Sequence, residues 1–348
     1  MASLSAVIYL ATQLHSDRLR SLLPNATRTN MIPSQFQGRL RLPMVASPLF
    51  LVSNPDLVVA SCNAGVVGTF PSLNQRTSES YEQWLKDIRR RLDDSSAPFG
   101  VQFTVHKTNA RLDEDLALTI KYKVPLVISS LGITREVTDA IHSYGGLVFH
   151  DAINVRHAKV ALDANVDGII AVCGGAGGHA GTYNPFAFMG ELRPLLGSTK
   201  TLILGGGIGD GHSIAAAIAA GADMAYVGTR MVNTKESGAL DANKQMIIDS
   251  DITDIVYSDK VDGIGANWLK RTMPEADVQI GTDNPFHATR LFGNIKRWRD
   301  IWSAGHGVGS IHDIPTTAHL IDRMEREFLD ATARLRRATE ERAVVVGV

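Results

Sequence analysis

Eight short apolar runs, spaced so that a helix can fit between neighbours, constrain this chain more than any other feature. They fall at residues 42–47, 65–70, 99–105, 126–130, 147–151, 168–173, 202–206 and 224–228. Most lack polar alternation, the pattern of parallel strands buried on both faces. The stretches between them carry amphipathic helical patterns, as at 79–92 and 155–165. Eight strand–helix units in series predict an α/β fold closed into a (β/α)8 TIM barrel. After Arg230 the rhythm stops. Residues 235–300 lack a clear strand pattern and are expected to form a smaller helical insertion after the eighth strand. The expected organisation is an N-terminal extension over 1–38, a barrel over 39–234 and 301–348 ending in a charged helix, and the insertion over 235–300.

Two of the runs end in glycine: Thr201-Leu-Ile-Leu-Gly-Gly-Gly207 and Met224-Ala-Tyr-Val-Gly-Thr-Arg230. Between them, residues 210–221 read as a helix whose N-terminus is expected to face the same point. Glycine lets backbone N–H groups approach an anion, and a helix start adds unpaired donors. In barrels of this kind, a phosphate commonly sits after the seventh and eighth strands. The pair therefore predicts a phosphate cup.

The formal net charge of -1 offers no basic field for nucleic acid, so small molecules are the expected partners. Two cysteines, Cys62 and Cys173, cannot build a disulfide framework, and no metal-ligand spacing is present; a reducing cytoplasm suits this composition. No apolar stretch is long enough for a membrane span. The apolar residues 3–11 lack the flanks of a secretory signal, and Met31 is an alternative initiator.

Reactive groups of such barrels lie at the carboxyl ends of strands. His150, in Gly146-Leu-Val-Phe-His-Asp151, is expected to project over the mouth and exchange a proton near neutral pH. Cys173-Gly-Gly-Ala-Gly-Gly-His-Ala-Gly181 follows the sixth strand. Its glycines would let backbone approach a flat ligand, and His179 either contacts that ligand or anchors the loop. Gln102 and Thr104 share one face of the third strand, where an amide could meet the polar edge of a ring. Cys173 has no identifiable histidine–asparagine partners and reads as a buried structural thiol.

Taken in order, these motifs resemble the nitronate monooxygenase (2-nitropropane dioxygenase) family, FMN-dependent (β/α)8 barrels with an appended helical domain. The carrying residues are His150-Asp-Ala, the Ala176 to Gly181 loop, Gly-Gly-Gly-Ile-Gly-Asp-Gly211 and Val-Gly-Thr-Arg230. The resemblance implies FMN- and dioxygen-dependent oxidation of alkyl nitronates, such as propionate 3-nitronate, to a carbonyl compound and nitrite. It makes His150 the catalytic histidine and sets Gln102 beside the flavin ring. Gly177 and Gly178 match the flavin-contacting loop, and Gly206, Gly207, Val227, Gly228 and Thr229 match the residues that hold the FMN phosphate. Residues 43–49 match the turn under the ring. The chain departs from the family pattern at Val172, Gly175 and His306, around the substrate pocket. An FMN-dependent NAD(P)H reductase of quinones or enoyl thioesters is the alternative; a flavin protein without turnover and a non-flavin phosphosugar barrel complete the range. Assembly is open between a single chain and a homodimer.

Overall fold

The computed structural model describes residues 31–273 and 298–345. Eight parallel strands close into a barrel: β1 (Met44–Ala46), β2 (Val67–Pro71), β3 (Phe99–Thr104), β4 (Leu126–Ser130), β5 (Leu147–Ala152), β6 (Gly168–Val172), β8 (Thr201–Gly205) and β9 (Met224–Val227). The short β7 (Gly178–His179) stands outside this ring. Closure is made by β1 against β9, with Val45 opposite Tyr226. All eight expected strands are present.

Every residue of β2, β6 and β8 is buried, as the non-alternating runs require of strands packed on both faces. One set of side chains, including Val45, Val67, Ile128, Phe149 and Ile203, fills the barrel interior. The alternate set, including Phe103, Val148 and Leu204, packs under the helices. Those helices are α1 (Pro55–Asn63), α2 (Ser78–Arg91), α3 (Leu112–Lys121), α4 (Arg135–His142), α5 (Val155–Asp163), α6 (Pro185–Leu196) and α7 (Gly211–Ala219). Asn54, Thr77, Thr134, Asn154, Asn184 and Asp210 each cap a helix start through the side chain, which fixes where each loop hands over to its helix. A short α8 (Thr229–Val232) follows β9, and α9 (Asp241–Ile248) opens the insertion. The long α10 (Thr317–Val345) returns to pack on α7 and α1.

Two expectations about domains need correction. Residues 31–36 belong to the barrel rather than to an extension. Phe36 is fully buried in the interior cluster, edge-on to Phe149 with ring centroids 6.4 Å apart. The backbone carbonyl of Met31 accepts from Thr201 Oγ1 at 2.7 Å, at the N-terminal end of β8. This segment therefore stoppers the end of the barrel away from the reactive mouth. Secondly, the insertion is not purely helical: β10 (Ile255–Ser258) and β11 (Ala266–Leu269) form an antiparallel sheet with β7, in the order β10-β11-β7. Its strands are only four residues long, and the segment carries no long alternating run to betray them. The expectations for residues 1–30 and 274–297 lie outside the described residues.

Candidate active site

A cavity of about 750 Å³ occupies the mouth at the carboxyl ends of the strands. Its walls differ in kind. On one side they are backbone: Gly206 and Gly207 after β8, Gly228 and Thr229 after β9, and Gly177 and Gly178 in the loop after β6. Gly207 has φ +73, a region that side chains seldom adopt, and a Cβ there would meet nothing within 4 Å. That gap is the open space of a cup. At Gly177 the reverse holds, since a Cβ would sit 2.9 Å from the Gly305 nitrogen, where two loops touch backbone to backbone. Gly305 N–H donates to Thr229 Oγ1 at 2.9 Å, which leaves the hydroxyl hydrogen of Thr229 for another acceptor. The loop containing Gly305 and Gly307 is thus a third wall of the cup; the glycine-rich run after Trp302 was its signal in the sequence.

Two expected members of the cup are placed differently. Val227 lies on the helix-facing side of β9, in the outer core, and does not line the cavity; its carbonyl accepts from Ser47 N–H at 2.9 Å. The N-terminus of α7 spends its donors inside the protein. Ser213 N–H donates to Asp210 Oδ1 and Gly211 N–H to Glu327 Oε2 of α10, each at 2.8 Å. An anionic N-cap already complements that helix end, so the cup relies on the loop backbone instead.

On the opposite side the walls are side chains, and the strand period decides which ones enter. In β5, Phe149 belongs to the barrel interior, while Val148 and Ala152 pack outward. By that alternation Asp151 faces the interior and His150 faces the helices. The expectation that His150 projects over the mouth is corrected accordingly: it borders the cavity from the outer side of the strand and is only 5% exposed. Its Nδ1 pairs with Ser129 Oγ at 2.8 Å, and burial, aided by repulsion from His157, pushes its pKa down to about 4. On the inner face the neighbouring pair is Ser130 with Asp151, whose Oδ2 accepts from the serine hydroxyl. Burial lifts the Asp151 carboxyl to about 6, against the lowering effects of Ser130 and His179. The same period of two that sets Gln102 and Thr104 on one face of β3 sets Asp151 on the inner face of β5.

Gln102 lines the cavity, and its amide makes no hydrogen bond with the described residues. His179 is held by the insertion. β7 pairs with β11, with His179 opposite Ala266, and Asn267 Nδ2 donates to the Ala176 carbonyl at 2.7 Å. Asp262 Oδ2 lies 2.8 Å from His179 Nε2 and also accepts from Trp298 Nε1 at 3.1 Å. The Trp298 ring stands perpendicular to the imidazole at 5.2 Å. With 33% of its side chain exposed, His179 is both oriented and open to the cavity. Asp262 was not recognisable from sequence, being 83 residues away. Cys173 is buried, and desolvation raises its thiol to about 12, as a structural cysteine requires. Among the described residues, no helix is long and apolar enough to cross a membrane.

A TIM barrel with a backbone cup and a histidine–carboxylate pair at one mouth is built as an enzyme site, and comparison with known proteins gives its class as an oxidoreductase. The sequence model of the family described as nitronate monooxygenase matches residues 38–326, and the chain belongs to that family. It is similar to a probable nitronate monooxygenase of Staphylococcus haemolyticus, with 24% identity covering 74% of this chain and 76% of that protein. It is also similar to a (3aS,4S,5R,7aS)-5-hydroxy-7a-methyl-1-oxo-octahydro-1H-indene-4-carboxyl-CoA dehydrogenase of Rhodococcus jostii, 29% identical over 64% of this chain and 61% of the other. Among solved structures, FabK from Thermotoga maritima shares the fold, with a TM-score of 0.74 and 24% identity over 86% of this chain and 96% of that one.

Proposed function

We propose that this chain is an FMN-dependent monooxygenase that oxidises alkyl nitronates, such as propionate 3-nitronate, with dioxygen to a carbonyl compound and nitrite. The observation that carries the reading is one cavity joining a backbone cup at one side to an oriented histidine and an unpaired amide at the other. The family match and the Staphylococcus relative support the choice of substrate.

The residues present fit FMN. Gly206, Gly207, Gly228 and Thr229 would hold its phosphate, Gly177 and Gly178 would let the loop approach the ring, and the free amide of Gln102 would meet the ring's polar edge. When bound, the flavin supplies the electron acceptor for the nitronate and the route to dioxygen. The chain does the rest. Asp262 accepts from His179 Nε2, which fixes the tautomer and leaves Nδ1 as a base. That nitrogen takes the α-proton of a neutral nitroalkane, or orients a nitronate already formed. The resemblance gives this task to His150. With its Nδ1 engaged by Ser129 and its pKa near 4, His150 is a weak base on the wrong side of its strand, and we assign it to shaping the wall.

A second reading is an FMN-dependent NAD(P)H reductase of quinones or enoyl thioesters. Arg156 and His157 at the cavity's edge favour it, since they would suit an anionic nucleotide or thioester tail, and the Rhodococcus relative is named for a CoA thioester. An anaerobic visible spectrum of the FMN-loaded protein separates the two. Bleaching by propionate 3-nitronate, with slow or no bleaching by NADPH, is the expected result. Rapid bleaching by NADPH alone overturns the nitronate reading, and a protein that takes up no flavin overturns both.

A further inference from the structure

The cavity floor contains one acid that the reaction above does not use. Alternate residues of successive strands form this floor: Gln102 of β3, Ser130 of β4, Asp151 of β5, Val172 of β6 and Tyr226 of β9. Asp151 Oδ2 is satisfied by Ser130, but Oδ1 is sealed from solvent and has no partner among the described residues. An unpartnered carboxylate oxygen turned away from water is costly, and proteins rarely leave one without a reason. Nothing beneath it supplies a donor, because the interior below is apolar: Phe149, Ile128 and Ile170. Asp151 itself lines the cavity, so a ligand seated on this floor is the group placed to meet its carboxyl.

We propose that Asp151 is a cofactor-facing residue: its carboxyl meets the flavin ring bound over this floor, and its charge makes the ring a weaker acceptor of negative charge. The inference rests on the flavin reading above. The groups that face this carboxyl are Ser130 from β4, Tyr226 from β9 and His179 from β7. Tyr226 is pushed further from ionisation by Asp151 itself, so no second anion competes there. His179 faces it from across the mouth and already has Asp262 as its partner. An anionic Asp151 therefore opposes any reaction that puts negative charge on the ring, and a neutral one relieves that opposition while gaining an O–H donor.

Sulfite tests this without substrate, because it adds its electron pair to oxidised flavin through a new N–S bond and leaves an anionic adduct visible by bleaching. In FMN-loaded Asp151→Asn protein at pH 8, sulfite should bind at least tenfold more tightly than in the wild type, and the difference should shrink at pH 5, where the wild-type carboxyl is neutral. Equal affinity at pH 8 overturns the proposal. A merely structural role would change flavin content or melting but not this pH-dependent ratio. Should Asp151→Asn fail to retain FMN, Ser130→Ala serves instead: losing the donor to Oδ2 should move the pH at which wild-type sulfite affinity changes upward, and an unmoved profile overturns the proposal. Wild-type protein that binds no FMN would defeat the functional reading itself, which is a different result from either.

Discussion

The two sides of the cavity are built on opposite principles. The cup side is backbone: Gly177 and Gly305 bring two loops together where a side chain would intrude, and Gly207 leaves open space that a side chain would enter. The reacting side is side chain: Gln102, Asp151 and His179 are carried inward by strand register and by the insertion sheet. A backbone site is broken by adding atoms, and a side-chain site by removing them. Substitutions of the two kinds should therefore separate cofactor binding from turnover.

The largest effect is expected on the reacting side. His179→Ala should lower turnover of neutral nitroalkane by about 10²- to 10⁴-fold, the usual worth of a positioned acid–base group. FMN content should be unchanged, and preformed nitronate should suffer less than the neutral substrate. His150→Asn should cost under about tenfold with either substrate; if His150→Asn is the more damaging of the two on neutral nitroalkane, the assignment of the base reverts to His150. Asp262→Asn should fall between, by about 10- to 100-fold, as removal of an orienting partner typically does. On the cup side, Gly207→Ala adds one methyl where the fold leaves open space, at a conformational cost of about 1 kcal/mol. The protein should fold, yet its preference for FMN over riboflavin, measured by flavin fluorescence quenching, should drop by about tenfold or more. That figure corresponds to losing roughly 1.4 kcal/mol of phosphate interaction. An unchanged preference would mean the phosphate lies elsewhere.

The same division explains what could be read from the chain. Strands and cup were legible because they are written in contiguous residues: apolar runs for the strands, and Gly205, Gly206 and Gly207 in a row for the cup. The start of α7 reads as open in the sequence, yet its own N-cap Asp210 and the distant Glu327 fill it. On the reacting side, His150 stands out as a histidine at the carboxyl end of a strand, whereas the register of β5 turns it outward and turns Asp151 in. Asp262 could not be found at all. It meets His179 only because β11, a strand of four residues, pairs with β7, and pairing over such distances leaves no local pattern.

The neighbouring residues on β5 allow the smallest but sharpest test, since they should push stability in opposite directions with pH. His150 is neutral in the fold down to about pH 4, against 6.5 for an ordinary histidine. The unfolded chain thus binds more protons between those values, and the His150 contribution is lost as pH falls from 6.5 toward 4. Asp151 stays protonated up to about 6, against 3.8 when unperturbed. Here the folded chain binds more protons, so stability is lost as pH rises through 3.8 to 6. In the wild type the two slopes offset each other over their shared range. Removing one should expose the other, by up to about 1.4 kcal/mol per pH unit for a single proton. Asp151→Asn should be stabilised relative to wild type at pH 7.5, with an advantage that fades toward pH 4.5. His150→Asn should show the reverse, improving relative to wild type as the buffer is acidified. Urea midpoints across pH 4.5 to 7.5 measure both differences, and parallel profiles for the two variants would mean that the buried charges of the inner and outer faces are not the ones inferred from the register of β5.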